Sequence, residues 1–327
     1  MAARVRNAGR RGCMMQKKNG AGHLAALFTI VVWGTTFIST KVLLRDFQPV
    51  EILVIRFVIG YLLLLAAKPG WVRLKEKKQE WLFAGAGLCG ICLYFLLENI
   101  ALTYTLASNV GVIISAAPFF TAFLTHIFMK EEGRLRLSFF LGFGVAIGGI
   151  CMISFGGQDF ALNPAGDLLA LAAAFVWACY SVLTKKISSY GYPMIQTTRH
   201  IFGYGILFMI PAAFAFDFHL GIARFLEPVN LLNILFLGAG ASAVCFVTWN
   251  FAVQVLGAVR TSVYIYVVPV VTIVTSVLIL HEQLTKLAAA GAVLTLLGLI
   301  ISEGKIELKV LFTTRKQDAI LKREKEN

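Results

Sequence analysis

The sequence is poor in charged residues. Asp, Glu, Lys and Arg make up only 14% of its 327 residues, whereas a soluble domain carries about 25%. Hydrophobic residues make up 58%, and the mean hydropathy is +0.78. This balance excludes a disordered chain and argues strongly against a soluble globule. Apolar runs of about 20 residues, the length that crosses the hydrocarbon core of a bilayer, predict a polytopic helical membrane protein.

The sequence also lacks the motifs of several enzyme classes. It contains no G-x-x-x-x-G-K-[ST] and no H-E-x-x-H, and the G-x-G-x-x-G match at 85–90 follows no predicted strand. Cys89 and Cys92 form a C-x-x-C that no second pair or nearby histidine completes, so neither a metal site nor a disulfide framework is expected. We therefore predict no enzyme activity, no catalytic residue, no metal and no cofactor.

Basic residues outnumber acidic ones by 30 to 17, which gives a net charge of +13. They lie in the tails and between apolar windows, so they indicate membrane topology and not nucleic-acid binding. With both termini in the cytoplasm, 24 of the 30 are cytoplasmic, which also predicts an even number of spans. The six others are Lys41, Arg45, Arg224 and Lys286 in outer loops, and Arg56 and Arg199 inside spans.

Ten apolar windows are long enough to be spans. No small-residue cleavage site clearly follows the first, so we expect a retained span and not a signal peptide. The short loops and the absence of an organelle signal favour a bacterial inner (plasma) membrane. Met14 and Met15 precede it closely and offer an alternative start. The windows are 23–44, 50–67, 81–103, 107–129, 136–155, 166–184, 194–216, 230–252, 261–280 and 285–303.

The two halves of the sequence resemble each other. WGTTFISTK (33–41) aligns with WACYSVLTK (177–185) at an offset of 144, and residues 94–131 align without gaps with 245–282 at an offset of 151. Five spans in each half force the second half to enter the membrane upside down, a design that recurs in secondary transporters. The matched residues of the longer alignment include Phe95/Phe246, Asn99/Asn250, Pro118/Pro269 and Glu131/Glu282.

These segments resemble the drug/metabolite transporter superfamily, EamA type, over residues 22–304. The resemblance implies ten transmembrane helices in two inverted five-helix repeats and metabolite export or exchange, but no single substrate. The predicted domains are a basic cytoplasmic N-tail (1–21), a first repeat (22–156), a second repeat (165–304) and a charged cytoplasmic C-tail (305–327). The segments that carry the family resemblance are WGTTFISTK, EILVIRF (51–57), ENIALTYTLASNVGVIISAAPFFTAFL (98–124) and WNFAVQVLGAVRTSVYIYVVPVVT (249–272).

Glu98 is the acidic residue placed well inside a predicted span, where a carboxylate is costly and marks a functional candidate. On a rise of 1.5 Å per residue, Glu98 lies about 7.5 Å, and Arg56 about 9 Å, from the outer ends of their helices. The two side chains could therefore meet. Glu98 would bind a proton or a substrate amine and Arg56 a substrate carboxylate, or the two would form a structural ion pair.

Inversion predicts a counterpart set near the cytoplasmic side. Trp249 takes the place of Glu98, so we expect a coupling carboxylate in the first half only. The histidine of this set, His200, could titrate near neutrality or serve as a hydrogen-bonded packing residue. The set corresponds to Arg56 and Asn99 of the first half, and it comprises Arg199, His200 and Asn250.

Aromatic and hydroxyl residues form a third group of candidates. On the first span they recur at i, i+3, i+4 and i+7, which is one helical face. Hydroxyls there favour a cavity over lipid, although helix packing uses them too. The group comprises Trp33, Thr36, Phe37 and Thr40, their equivalents Trp177, Tyr180, Ser181 and Thr184, and Ser108, Asn109, Ser115, Tyr264 and Tyr266. Pro118 and Pro269 are predicted to kink their helices, for gating or to shape the bundle.

Together these observations predict a secondary active exporter of small metabolites, with amino acids or amphipathic compounds as candidate substrates. Substrate would bind between the repeats, and proton exchange through Glu98 would supply coupling. A proton-independent importer or exchanger is the alternative, and a membrane-embedded enzyme is less favoured. The expected partners are the lipid bilayer, a small-molecule substrate and protons.

Overall fold

The computed structural model describes residues 2–129, 137–155, 164–216, 218, 219 and 221–302. The C-tail 305–327 and Glu131 lie outside these residues. The described part of the chain contains helices and no strands, as predicted. Its ten longer helical segments are α1 (Ala2–Leu43), α2 (Pro49–Ala67), α3 (Lys77–Tyr104), α4 (Ala107–Met129), α5 (Leu137–Phe155), α6 (Pro164–Ser188), α7 (Met194–Ala215), α8 (Pro228–Leu256), α9 (Ala258–Leu280) and α10 (Lys286–Ser302). A short 3₁₀ helix, Ile222–Phe225, precedes α8.

Seven of these segments are long and apolar enough to cross a membrane: Asn19–Leu43 of α1, and α2, α3, α4, α6, α8 and α9. The apolar stretches of α5 and α10 are shorter, at Phe140–Ile153 and Lys286–Ile301. Helix α7 has 22 residues but carries Arg199 and His200. Helix α1 begins at Ala2, well before the predicted window, because its first residues are mostly good helix formers.

The helix interfaces occur in related pairs. Helix α1 packs against α8 as α6 packs against α3, and α1 packs against α9 as α6 packs against α4. Likewise, α2 contacts α8 as α7 contacts α3. Three further interfaces, α2–α7, α4–α9 and α5–α10, join helices of the same rank in each half. Exchanging the two halves therefore leaves these interfaces unchanged.

Residues that correspond in the two halves meet at the centre of the bundle. The rings of Trp33 and Trp177 are 5.2 Å apart between centroids and nearly perpendicular, at 88°. The centroids of Phe95 and Phe246 are 6.0 Å apart. Contacts between equivalent residues are expected only close to an axis that relates the halves. Such an axis would pass between these rings.

Departures from α-helical geometry also occur at corresponding positions. A π-helical segment interrupts α3 at Leu88–Leu93 and α8 at Phe236–Val244, whereas the π-helical end of α9, Ser276–Leu280, has no counterpart in α4. Helix α4 turns at residues 115 and 116, and α9 narrows to a 3₁₀ helix at Val263–Val267. Both changes lie just before the matched prolines, whose missing N–H and bulky ring disfavour regular helix there.

Small residues let several helices approach closely. A methyl group added at Gly149 of α5 would overlap the backbone of Thr295 in α10. A methyl group at Gly90 of α3 would overlap the ring of Tyr180 in α6. Glycine at such positions is typical of helix packing inside membranes, where backbones come together without side chains between them.

Candidate transport site

A cavity of about 30 Å³ lies at the centre of the bundle, where the two halves meet. This volume is enough for water but not for a metabolite, so the site is closed in this structure. Residues of α1, α3, α4, α6 and α9 line it. They are Ile30, Trp33, Thr36, Phe37, Tyr94, Phe95, Glu98, Ile114, Trp177, Ile265 and Val268.

Glu98 is buried in the wall of this cavity, with 1% of its surface exposed. The phenol of Tyr94, one turn earlier on α3, interacts with its carboxylate. Among the described residues, Oε1 of Glu98 has no hydrogen-bond partner. A buried acceptor without a partner is costly, and it is available to a ligand or a proton entering the cavity.

Arg56 is fully buried nearby, but it does not line the cavity. Its Nε donates a hydrogen bond to Ser242 Oγ at 3.1 Å, and its guanidinium lies 4.4 Å from the centroid of the Phe95 ring. Its two terminal nitrogens have no hydrogen-bond partner in the described part of the chain. The charges of Arg56 and Glu98 interact, yet the ion pairs found among the described residues do not include this one.

The matched asparagines have different partners. Asn99 donates to the carbonyl of Pro49 at 3.0 Å and so ties α3 to the start of α2. Asn250 accepts from the Tyr180 hydroxyl and donates to Thr198 Oγ1, both at 3.1 Å. These bonds hold three helices of the second half together, so both asparagines act as structural links in this conformation.

Arg199 and His200 lie away from the central cavity, beside a second cavity of about 190 Å³. The Arg199 guanidinium donates to the carbonyls of Lys68 and Gly70. His200 Nε2 is 2.9 Å from Glu80 Oε2. Both side chains thus secure the loop between α2 and α3 and the start of α3.

The other predicted residues divide into cavity and packing positions. Trp33, Thr36, Phe37 and Trp177 line the cavity, as stated above. Of the packing positions, Tyr264 pairs with His23 at 2.6 Å, and Tyr266 is half-buried on α9. Several hydroxyls bond backbone carbonyls of their own helix, and these are Ser115, Ser181 and Thr184.

A polar clamp joins the two halves, and of its side chains the sequence candidates included Ser108 but not Glu282 or Lys41. Glu282 follows α9 and accepts hydrogen bonds from the backbone N–H of Ala107 at 2.9 Å and from Ser108 Oγ at 2.8 Å. It therefore caps the N-terminus of α4, where a carboxylate also offsets the helix dipole. Lys41, at the end of α1, donates to the carbonyl of Thr105 at 2.8 Å and interacts with Glu282. In the sequence, the match between Glu131 and Glu282 was the signal that could have identified Glu282. It did not indicate which residues Glu282 contacts.

A second polar cluster lies at the start of α2. The Arg224 guanidinium donates to both carboxylate oxygens of Glu51, at 2.9 and 3.0 Å, and to the carbonyl of Asp46 at 2.7 Å. Its hydrogen bonds to Glu51 raise the pKa of Arg224. Glu51 also caps its own helix through the Gln48 N–H. The loop before α8 is thereby fixed to the loop between α1 and α2.

The sequence profile of the EamA-like transporter family matches residues 20–155 and 164–303. A protein of known structure, described as a crystal structure of a protein, is similar in fold, with a TM-score of 0.62 at 18% identity. That likeness covers 86% of this chain and 96% of the other.

Several curated relatives extend over nearly the same length. An uncharacterized transporter of Archaeoglobus fulgidus is 27% identical over 88% of this chain and 99% of its own. A probable amino-acid metabolite efflux pump of Escherichia coli is 28% identical over 88% of this chain and 95% of its own. A probable terminal-alkyne amino-acid exporter of Streptantibioticus cattleyicolor is 27% identical over 85% of this chain and 91% of its own. The resemblance noted in the sequence is confirmed, and the chain belongs to the EamA-like transporter family, whose members are multi-pass membrane proteins.

Proposed function

We propose that this protein is a secondary active exporter of small metabolites that works by alternating access. The cavity between the two halves would bind the substrate, and exchange of conformation between the halves would expose it to one side at a time. The observation that carries the proposal is the central cavity, where Glu98 presents an unpartnered oxygen beside rings from both halves. Two relatives with exporter or efflux names support the direction.

The proposed architecture has ten transmembrane helices, in two inverted five-helix repeats. The paired interfaces, the contacts between equivalent rings and the matched helix distortions support a two-fold relation of the halves. Five spans in each half would turn this relation into an inversion. The repeats would be 22–156 and 165–304, with both termini in the cytoplasm of a bacterial inner membrane. The distribution of basic residues supports this orientation.

Glu98 is the proposed coupling residue. A carboxylate enclosed in a cavity that opens to alternate sides can take a proton from one side and release it to the other. The corresponding residue of the second half, Trp249, cannot do so, so one coupling carboxylate serves both conformations. The alternative is transport without a proton, as an importer or exchanger, in which Glu98 contacts the substrate alone.

Comparing growth media by untargeted mass spectrometry tests this function. Cells would overproduce the wild type, Glu98→Gln or Glu80→Gln, each checked for membrane insertion. Glu80 is the matched control, because its carboxylate lies on the same helix but bonds His200 and Tyr204 outside the cavity. We expect one or more metabolites to be enriched by the wild type and by Glu80→Gln, and not by Glu98→Gln.

The other outcomes separate the alternatives. Enrichment by all three proteins would retain the exporter and reject Glu98 as its coupling residue. Enrichment by none would count against export. Transport into proteoliposomes that is unaffected by an imposed pH gradient would favour the proton-independent alternative.

A further inference from the structure

The central cavity is built to receive positive charge. Among the described residues that line it, Glu98 carries the only carboxylate, and its Oε1 has no partner. Three electron-rich rings stand in the same wall: the centroid of Trp177 is 5.2 Å from that of Trp33 and 4.8 Å from that of Tyr94. An ammonium group bonded to Glu98 would lie beside these rings, and cation–π attraction acts within about 6 Å of a ring centroid.

Among the described residues, the same wall offers no cation to an anionic ligand. Arg56 is the nearest candidate, but it does not line the cavity. Its guanidinium lies against the ring of Phe95, 4.4 Å from the ring centroid, and it is Phe95 that lines the cavity. The guanidinium is also anchored to Ser242 on α8. A substrate carboxylate in the cavity would therefore meet aromatic rings and a carboxylate, which is unfavourable.

We propose that the cavity selects substrates that carry a protonated amine and does not require a substrate carboxylate. The ammonium donates to Glu98, the rings of Trp33, Tyr94 and Trp177 lie beside it in the cavity wall, and the apolar body packs against the aliphatic part of the lining. This inference deepens the proposed function and rests on it, because a ligand can enter the 30 Å³ cavity only when the halves move apart.

Three compounds with one carbon skeleton test the charge preference. Phenethylamine is phenylalanine without its carboxylate, and 3-phenylpropionate is phenylalanine without its amine. Binding to the purified full-length protein would be titrated by tryptophan fluorescence, since two of the lining residues are tryptophans. We expect phenethylamine to bind at least tenfold more tightly than 3-phenylpropionate, and no more weakly than phenylalanine.

Variants of Glu98 and Glu80 test whether amine binding depends on the Glu98 carboxylate. We expect Glu98→Gln to weaken phenethylamine binding at least tenfold, and Glu98→Asp, which keeps the charge, to weaken it less. Glu80→Gln should leave it unchanged, which excludes a general effect of removing a carboxylate from α3. Elution of each variant as a single folded species would be checked first.

Four results would overturn the inference. They are preference for 3-phenylpropionate, tenfold tighter binding of phenylalanine than of phenethylamine, full binding by Glu98→Gln, and no binding of phenethylamine at all. Tighter binding of phenylalanine would mean that Arg56 reaches the substrate. The medium comparison described above is independent of this titration, so a Glu98-dependent exporter of anions would refute the amine preference and leave the proposed function standing.

Discussion

At the scale of single residues, the centre of the molecule is unusual for the polar atoms that it leaves without partners. Buried polar groups are satisfied in most proteins, and each exception asks for an explanation. Among the described residues, Glu98 Oε1, Trp249 Nε1 and two nitrogens of Arg56 are such exceptions. Glu98 and Trp249 occupy equivalent positions in the two halves. Glu98 lines the central cavity and Trp249 does not, so a ligand in this cavity can supply the missing partner of Glu98 only.

Packing at Gly90 sets the geometry of the neighbouring wall. In Gly90→Ala, the new methyl group would overlap the ring of Tyr180 and displace it from its hydrogen bond to Asn250. Overpacking of this kind costs about 1–3 kcal/mol. We expect a lower thermal midpoint in detergent, measured by the loss of monodisperse protein on heating.

The control for this prediction is Gly85→Ala on the same helix. Its methyl group would meet Leu183 at 3.4 Å, which is ordinary contact. A thermal midpoint for Gly90→Ala equal to that of Gly85→Ala would mean that α3 and α6 can separate without loss, against the close approach seen here.

At the scale of helices, the sequence predicted which segments are helical better than it predicted the local geometry of each helix. Each of the ten apolar windows falls largely on a helix, because bilayer-length apolar runs favour helical structure. Seven helices of the described residues are long and apolar enough to cross a membrane, so ten transmembrane spans stay a prediction. The π-helical segments of α3 and α8 had no clear sequence signal, since they arise from how neighbouring helices pack. The distortions of α4 and α9 lie just before the matched prolines, and a role of these prolines in kinking the helices stays a prediction.

The clamp between α9 and α4 is a testable element-scale contact. Glu282 is positioned by His281, whose left-handed backbone (φ 54°) ends α9 and turns the chain towards α4. In the proposed orientation the clamp closes the outer side. Glu282→Gln replaces charge-assisted bonds by neutral ones, a loss of about 1 kcal/mol or more, so the outward-open population should rise about fivefold.

Labelling of a single cysteine measures this change. In a cysteine-free background, Val110→Cys lies on α4 below the clamp and is fully buried. An impermeant maleimide added outside should react with it about five times faster when Glu282→Gln is present. Glu227→Gln is the control, because Glu227 precedes α8 without a side-chain cap bond. Equal rates in all three backgrounds would show that the clamp does not hold the outer side closed.

At the scale of the whole molecule, the internal repeat was the most informative feature of the sequence. It predicted which residues correspond, and the structure brings Trp33 to Trp177 and Phe95 to Phe246. It could not predict which corresponding residues keep equal roles. Arg56 is buried at the centre, whereas Arg199 binds loop carbonyls. Such differences depend on tertiary partners that no single helix encodes.

The proposed inversion of the two halves has a direct topological consequence. The loop between α1 and α2 and the loop between α6 and α7 are equivalent in sequence, so parallel repeats would place both on the same side of the membrane. Inverted repeats place Arg45 outside and Ser189 in the cytoplasm, and both residues are exposed. In a cysteine-free background, we expect an impermeant maleimide to label Arg45→Cys in intact cells and Ser189→Cys only after permeabilisation. Labelling of both in intact cells would make the repeats parallel. The pseudo-two-fold axis could then not lie in the membrane plane, and exchange between the halves could not convert an outward-open state into an inward-open one.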